Sequence, residues 1–367
     1  MRTELGLVKL TTDYGQDPQT RKSFCPQQRA WGLTPHQKIT PGLAAKLCFT
    51  AVVTNSYEQA AAVAAQWGVA VTDTLIHQQV QRAGERAEQQ AEARVTASAT
   101  TPAVKPAAAT GARVIMMDGW MLRHRGADWG LQPATAAGER VAWQECKSAV
   151  IYRLHQSVTT KNDRGLLVEK FVVAYHGEPL EFGRRVQAEA RRRGLGQVPQ
   201  VFVVADGGVW IWKIVADRFA TATGVLDFYH ASQHLWAVAH TLHPEDETAA
   251  RAWVEPLLHQ LRHGDEAQVL QTLHDLPAWC AARAQALPPT VPTEINYFEN
   301  HRAHLHYADR AAEGCPVGSG AMESFCAQLQ GRFKRGGQFW TAPGRRRLLA
   351  LEIARRNQDW SQVWQLN

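Results

Sequence analysis

The chain has 367 residues, 45% hydrophobic and 20% charged, and its 40 Lys and Arg against 34 Asp and Glu leave a net charge of +6. That composition suits a globular protein of two or three domains with a sizeable core, and its basic balance admits a polyanionic partner. No apolar run reaches the roughly 18 residues of a membrane span, Met1–Pro18 has no apolar signal core, and none of the 6 cysteines is spaced C-x-x-C; a membrane protein, a secreted disulfide scaffold and a thiolate zinc finger are all disfavoured.

Residues 1–50 show no clear period, because Pro26, Pro35 and Pro41 break any long helix. Residues 54–92 read as two helices: Tyr57–Trp67 is rich in strong helix formers, Gly68 breaks it, and Thr72 caps a second helix through Leu75, Ile76 and Val80. The pair resembles a helix-turn-helix whose second helix could offer Gln78, Gln79, Gln81 and Arg82 to DNA; it reads equally as a helical hairpin packed on the rest. Residues 95–112 are mostly Ala, Thr and Pro, the composition of a linker. The first region is therefore 1–94, helical, and a new domain starts at 113.

From there the period changes. Val114–Met117 is a short apolar run ending at Asp118, and Val141–Leu154 and Leu166–Tyr175 have strand composition. Leu180–Arg193 reads as helix, Val201–Ala205 as a buried strand ending at Asp206, Trp210–Phe219 as helix and Val225–Phe228 as a further strand. This order predicts a mixed α/β core over 113–230 with both faces covered. Residues 231–310 read as an all-helical insertion, and 311–367 as the helices that complete the core. Most of the 13 tryptophans are expected to be core or domain-contact anchors.

Asp118 and Asp206 each follow an apolar strand and precede glycine, the place in an α/β sheet where ligands sit. Either alone could be a turn-starting Asp. Glu323 lies in the first turn of a helix capped by Ser319, beside the apolar stripe Met322, Phe325, Leu329 and Phe333; by itself it could be a glutamate favoured by the helix dipole. Three carboxylates on two strand ends and one helix suit two Mg²⁺ ions, and two metals about 4 Å apart stabilise both oxygens of a phosphoryl transfer.

In order, VIMMDGW, VFVVADGGVWIWKIV, VLDFYHASQHL, YFENHR and PVGSGAMESFCAQLQGRFKRGGQFW resemble the DDE transposases of bacterial insertion sequences, of the ISKra4 type, a group similar to the Mutator-like superfamily. The resemblance covers about Arg113 to Trp364. It implies an RNase H-like catalytic domain with a helical insertion between the second and third acids, which the long stretch from Asp206 to Glu323 accommodates. It implies Asp118, Asp206 and Glu323 as catalytic, metal-binding residues for Mg²⁺ or Mn²⁺. It implies double-stranded DNA, element ends and target, as partner, a homodimer or higher oligomer on that DNA, and a cytoplasmic, nucleoid-associated bacterial protein. A nuclease that only hydrolyses, and an inactive DNA-binding relic, are the alternatives.

Asp227-Phe228-Tyr229-His230 resembles the D-x-x-H signature of that superfamily, which implies a catalytic role for His230; otherwise Asp227 caps the next helix and His230 lies in its first turn. His230 and His234 stand at i, i+4, and His301, His304 and His306 cluster, but without H-E-x-x-H both sets read as polar surface or DNA-facing groups rather than zinc ligands. Gly314, Gly318 and Gly320 lack a P-loop's GK[ST] and allow a tight turn before the Glu323 helix. Residues 331–356 carry Arg332, Lys334, Arg335, Arg345, Arg346, Arg347, Arg355 and Arg356 against Glu352 alone, with Phe339 and Trp340 among them. The first six are the expected DNA contacts. Arg184, Arg185, Arg191, Arg192 and Arg193 read as a solvated helix face.

Overall fold

A computed structural model of the chain describes residues 1–4, 6–31, 39–100, 111–130, 140–161, 165–194 and 198–365. The chain divides into two compact units, one of Met1–Thr96, Arg123–Trp143 and Arg332–Asn367, the other of Ala97–Leu122 and Gln144–Gly331.

The N-terminal residues of the first unit form α1 (Pro41–Val53), α2 (Tyr57–Gln66) and α3 (Asp73–Thr100). Side-chain caps start each helix: Thr40 accepts from the Leu43 N–H, Ser56 from Gln59 and Thr72 from Leu75. Gly68 turns the chain with φ of +76°, which L side chains rarely adopt. The expected second helix therefore starts at its predicted cap but runs past residue 92 to Thr100. Val95–Thr100 are helical rather than linker, because Val95 is buried and Arg94 is tied by its guanidinium to Asp359 and Gln362. The rest of the expected linker up to residue 110 lies outside the described residues.

The second unit is a mixed α/β fold. Its sheet has β1 (Ala112–Arg125), β2 (Val141–Arg153), β3 (Phe171–Tyr175), β4 (Gln200–Ala205) and β5 (Thr223–Leu226), in the order β5-β4-β1-β2-β3. β4 runs parallel to both β1 and β5, while β2 and β3 are antiparallel. Phe202, Val203, Val204 and Ala205 are wholly buried, which explains the unbroken apolar run in β4. Ile115, Met117, Val203 and Ala205 pack one face onto Phe182 and Val186 of α4 (Pro179–Arg192) and Ile211 and Ile214 of α5 (Val209–Arg218). Each such side chain contributes roughly 1.5–3 kcal/mol by burial. Arg184 and Arg185 pair with Glu181, and Arg192 and Arg193 with Glu189.

After β5 come α6 (Phe228–Leu242), α7 (Glu247–His263), α8 (Glu266–Ala282), α9 (Val291–Asn300) and α10 (Tyr307–Ala312). Every strand and helix from Phe228 to Ala312 is thus helical, held by buried Leu257, Leu261, Val269, Leu270 and Leu273. α11 (Gly320–Phe333) follows, with Met322, Phe325 and Leu329 buried.

Residues 332–365 join the N-terminal helices rather than the sheet, which differs from the grouping expected for 311–367. They include α12 (Ala342–Arg356) and α13 (Trp360–Trp364). The reason is a set of contacts across the sequence: Arg332 donates to the Ala51 carbonyl, Arg346 pairs with Glu88, and Gln90 donates to the Gln362 carbonyl. Gly84 of α3 lies so close to Arg347 that an added Cβ would meet its carbonyl at 2.5 Å. Of the tryptophans, Trp120 and Trp340 are buried and Trp210 and Trp212 pack against the core, whereas Trp31, Trp67, Trp129 and Trp143 are exposed.

Candidate active site

The parallel register builds the site. Ala205 of β4 stands opposite Met117 of β1 and Leu226 of β5, so Asp118, Asp206 and Asp227 follow abreast on three neighbouring strands about 4.8 Å apart. Asp118 is not at the end of its own strand, as expected from the apolar run; β1 continues to Arg125. It sits where β4 stops, so its side chain emerges beside Asp206 without a β4 residue in front of it.

Asp118 accepts the Gly119 N–H at 2.6 Å through Oδ1 and a weak thiol hydrogen bond from Cys326 at 3.7 Å through Oδ2. Burial, and then the negative charge of Asp206, push the Asp118 carboxyl above the usual carboxylate range, while the His230 imidazole opposes that rise. Burial and the neighbouring carboxylates of Asp118 and Glu323 push the Cys326 thiol far up, so it stays protonated as a donor. A raised carboxyl makes the folded state more stable below the usual carboxylate pKa and less stable as pH rises through the shifted one. Asp118→Asn is therefore expected to raise the melting temperature at about pH 7.5, by roughly 2–4 °C for each kcal/mol of repulsion relieved. The gain should disappear as pH falls below the usual carboxylate range, where Asp118 is protonated and uncharged. A thermal melt series over pH checks this, and an unchanged or lower Tm at about pH 7.5 would show the pair is not strained.

Asp206 holds its carboxylate with the Gly208 N–H at 2.9 Å, and its carbonyl accepts the Trp212 indole N–H at 3.0 Å. Asp227 is wholly buried. Its Oδ1 accepts the N–H groups of Tyr229 and His230 at the start of α6, and its Oδ2 accepts the Ser319 N–H at 2.6 Å, just before α11. One carboxylate thus ties together the first turns of two helices, the helix-capping role expected of it extended to a second helix. His230 is placed in that first turn, within electrostatic reach of Asp118. Glu323 is exposed, one turn before Cys326 on α11, with no hydrogen bond or ion pair among the described residues.

Two neighbours of the aspartates are not among the expected site residues, although Tyr297 opens the motif YFENHR. The Tyr297 ring covers Gly207, where an added Cβ would meet it at 2.3 Å. Its hydroxyl is buried without a hydrogen-bond partner among the described residues, and burial and then Asp206 push it well above its ordinary pKa. Stacking on His234, with ring centres 3.6 Å apart, fixes it. Glu145 lies over Gly119 and is paired with Lys147 at 2.7 Å.

Among the described residues no three His, Cys, Asp or Glu side chains converge in metal-holding geometry as they stand. Asp118 and Asp206 nevertheless fit a hard divalent cation, since both are oxygen donors and each raises the energy of the other's charge. Glu323 would have to swing its exposed side chain to join them. His234 is engaged through Nδ1 by Glu294 at 2.5 Å. The 301–306 histidines are not the surface group expected. His301 is buried and bonded to the Tyr297 carbonyl, His304 stacks on Trp212, and His306 pairs with Glu266. Gly314 has φ of +75° and Gly318 lies against Tyr229, as a tight turn before α11 requires.

No protein family's sequence profile matches the chain, and no curated protein matches it. One solved structure, titled Drosophila P element transposase strand transfer complex, aligns with 91% of this chain and 96% of that chain at 10% identity, with a TM-score of 0.41.

The expected DNA contacts separate into two kinds. Arg345 is 0% exposed and shares a hydrogen bond with His124, and Arg332 is buried against the Ala51 carbonyl, so neither presents its charge to solvent. Arg346 and Arg347 are tied to Glu88, Glu85 and Gln81 of α3. Trp340 is buried and donates to the Phe333 carbonyl. Lys334 and Arg335 alone of the six are neither buried nor paired with a carboxylate among the described residues. The correction arises because the charges face a complementary helix distant in sequence, which a count of basic residues does not show. Among the described residues no helix is long and apolar enough to cross a membrane.

Proposed function

We propose that the chain is a DDE-type DNA transposase that nicks the ends of its element and joins the freed 3′-hydroxyl to target DNA. The observation that carries this reading is the register that sets Asp118 beside Asp206, each in the other's field, with His230 facing them. The sheet supports it: a strand order of 3-2-1-4-5 with acids on the first and after the fourth strand, and a third acid on a later helix, is the arrangement an RNase H-like domain needs. The sequence motifs point to the ISKra4 type within that class.

Asp118, Asp206 and Glu323 would hold Mg²⁺ or Mn²⁺, which would supply Lewis-acid stabilisation of charge building on the phosphoryl oxygens. The remaining work belongs to the chain. Gly208 and Gly119 N–H groups aim the two aspartates. Asp227 fixes the start of the Glu323 helix to the strand ends, and it fixes the His230 backbone, so the imidazole can donate to a phosphate oxygen. Positioning accounts for a large part of such a reaction.

The test uses the inverted repeats flanking the gene as paired end substrates, with a supercoiled target plasmid and Mg²⁺. Joined products in which the end strand is covalently linked to the plasmid are expected. Nicking or hydrolysis without joining would assign a nuclease, and no reaction on any end would leave a DNA-binding relic.

A further inference from the structure

We propose that Trp143 and Trp129 form a stacking platform for the unpaired bases of single-stranded DNA, a site that rests on the DNA-transposase reading but is separate from the carboxylates. Trp143 is 53% exposed and Trp129 39% exposed. An indole left in water forgoes much of the 150–250 Å² of burial an aromatic side chain normally contributes, and such residues mark contact sites when they gather. These two gather. Trp129 packs on Phe339 with ring centres 4.8 Å apart. The Arg125 guanidinium lies 5.3 Å over Trp129, and that of Arg123 lies 5.2 Å from Phe339 and 5.9 Å from Trp143. The Lys334 ammonium is 5.4 Å from Trp143 on its own account. Cations and rings therefore interleave in one row: Arg125, the Trp129–Phe339 pair, Arg123, Trp143, Lys334.

The charges in this row differ from the rest of the basic segment. Arg346 and Arg347 are neutralised by glutamates of α3, whereas Arg123, Arg125 and Lys334 have no carboxylate partner among the described residues. Arg123 is instead oriented by the Arg335 carbonyl, which keeps its charge available. The backbone supports the row: Trp340 exchanges hydrogen bonds with Arg123 and Arg125, pinning the 339–340 segment beside β1. Unneutralised cations interleaved with open indoles match a chain that alternates phosphates with flat bases. A duplex offers such a surface only its phosphates, because its bases are stacked on one another; unpaired bases can reach the rings. A basic peptide would be repelled by the same cations.

The experiment measures binding by fluorescence anisotropy, with the full chain and no divalent metal. The probes are a labelled oligo(dT), an abasic oligomer of equal length and charge, and a duplex. Oligo(dT) is expected to bind roughly 5- to 150-fold tighter than the abasic strand. Trp143→Ala and Trp129→Ala should bring oligo(dT) toward the abasic affinity and leave the abasic strand and duplex unchanged, while Trp143→Phe retains most of the difference. Both residues are exposed, so the fold survives; far-UV and near-UV spectra verify it. Equal affinity for oligo(dT) and the abasic strand, or an equal loss on both in Trp143→Ala, would overturn the proposal. Asp206→Asn should bind all three probes as the unaltered chain does, so loss of catalysis and loss of stacking are read separately.

Discussion

Asp206→Asn should reduce strand cleavage by about 10³-fold or more while the protein stays folded. Asn keeps the shape of the side chain and can still accept the Gly208 N–H through its carbonyl oxygen. It removes the charge that, with Asp118, suits the pair to a divalent cation. Several kcal/mol of transition-state stabilisation depend on such a cation, and each 1.36 kcal/mol is tenfold in rate. Folding should be unharmed, since the substitution removes a repulsion between neighbouring carboxylates. The measurement is a nicking assay on end DNA alongside a thermal melt. Cleavage within about tenfold of the unaltered protein would mean that these aspartates serve only the turns they begin. Glu323→Gln belongs in the same assay. Its exposed carboxylate has no structural partner among the described residues, so its loss should cost activity and almost no stability.

How much of this was legible in the sequence depends on how local each cause is. β4 was legible because a strand buried on both faces needs a run such as Val201–Ala205, and Asp206 follows immediately. The start of α3 was legible because Thr72 caps it in its own first turn. β1 was legible only as far as Asp118. Its continuation, with Arg123, His124 and Arg125, looks polar, and it is held as a strand by β2 on one side and by a backbone bridge to Trp340, more than two hundred residues later. The pairing of the basic segment was hidden for the same reason: Arg346 and Arg347 are counted locally but pair with Glu88 and Glu85. Tyr297 left one usable trace. The glycines after Asp206 leave room for something to approach, and Tyr297 occupies that room at Gly207.

Asp227 carries the second large effect, and it acts through position rather than contact with substrate. It is a buried carboxylate that accepts from three backbone N–H groups, at Tyr229, His230 and Ser319. Asp227→Ala would leave all three donors without their acceptor, the Ser319 N–H in a buried setting, each at up to about 1–3 kcal/mol, so a loss of roughly 3–5 kcal/mol is expected. In a unit of this size that lowers the melting temperature by roughly 6–20 °C. Asp227→Asn separates charge from shape. Its oxygen can keep Tyr229 and His230, but its amide then points a donor at the Ser319 N–H, where Asp227 presented an acceptor. The start of α11 should detach from the strand ends, and with it Glu323 and the Cys326 thiol that meets Asp118. Asp227→Asn should therefore lose activity well beyond its loss of stability, even at temperatures where it is fully folded. Denaturant titration and the nicking assay on the same preparation make the comparison. An Asn variant that cleaves normally while melting several degrees lower would show that the Ser319 link holds the fold and does not aim Glu323.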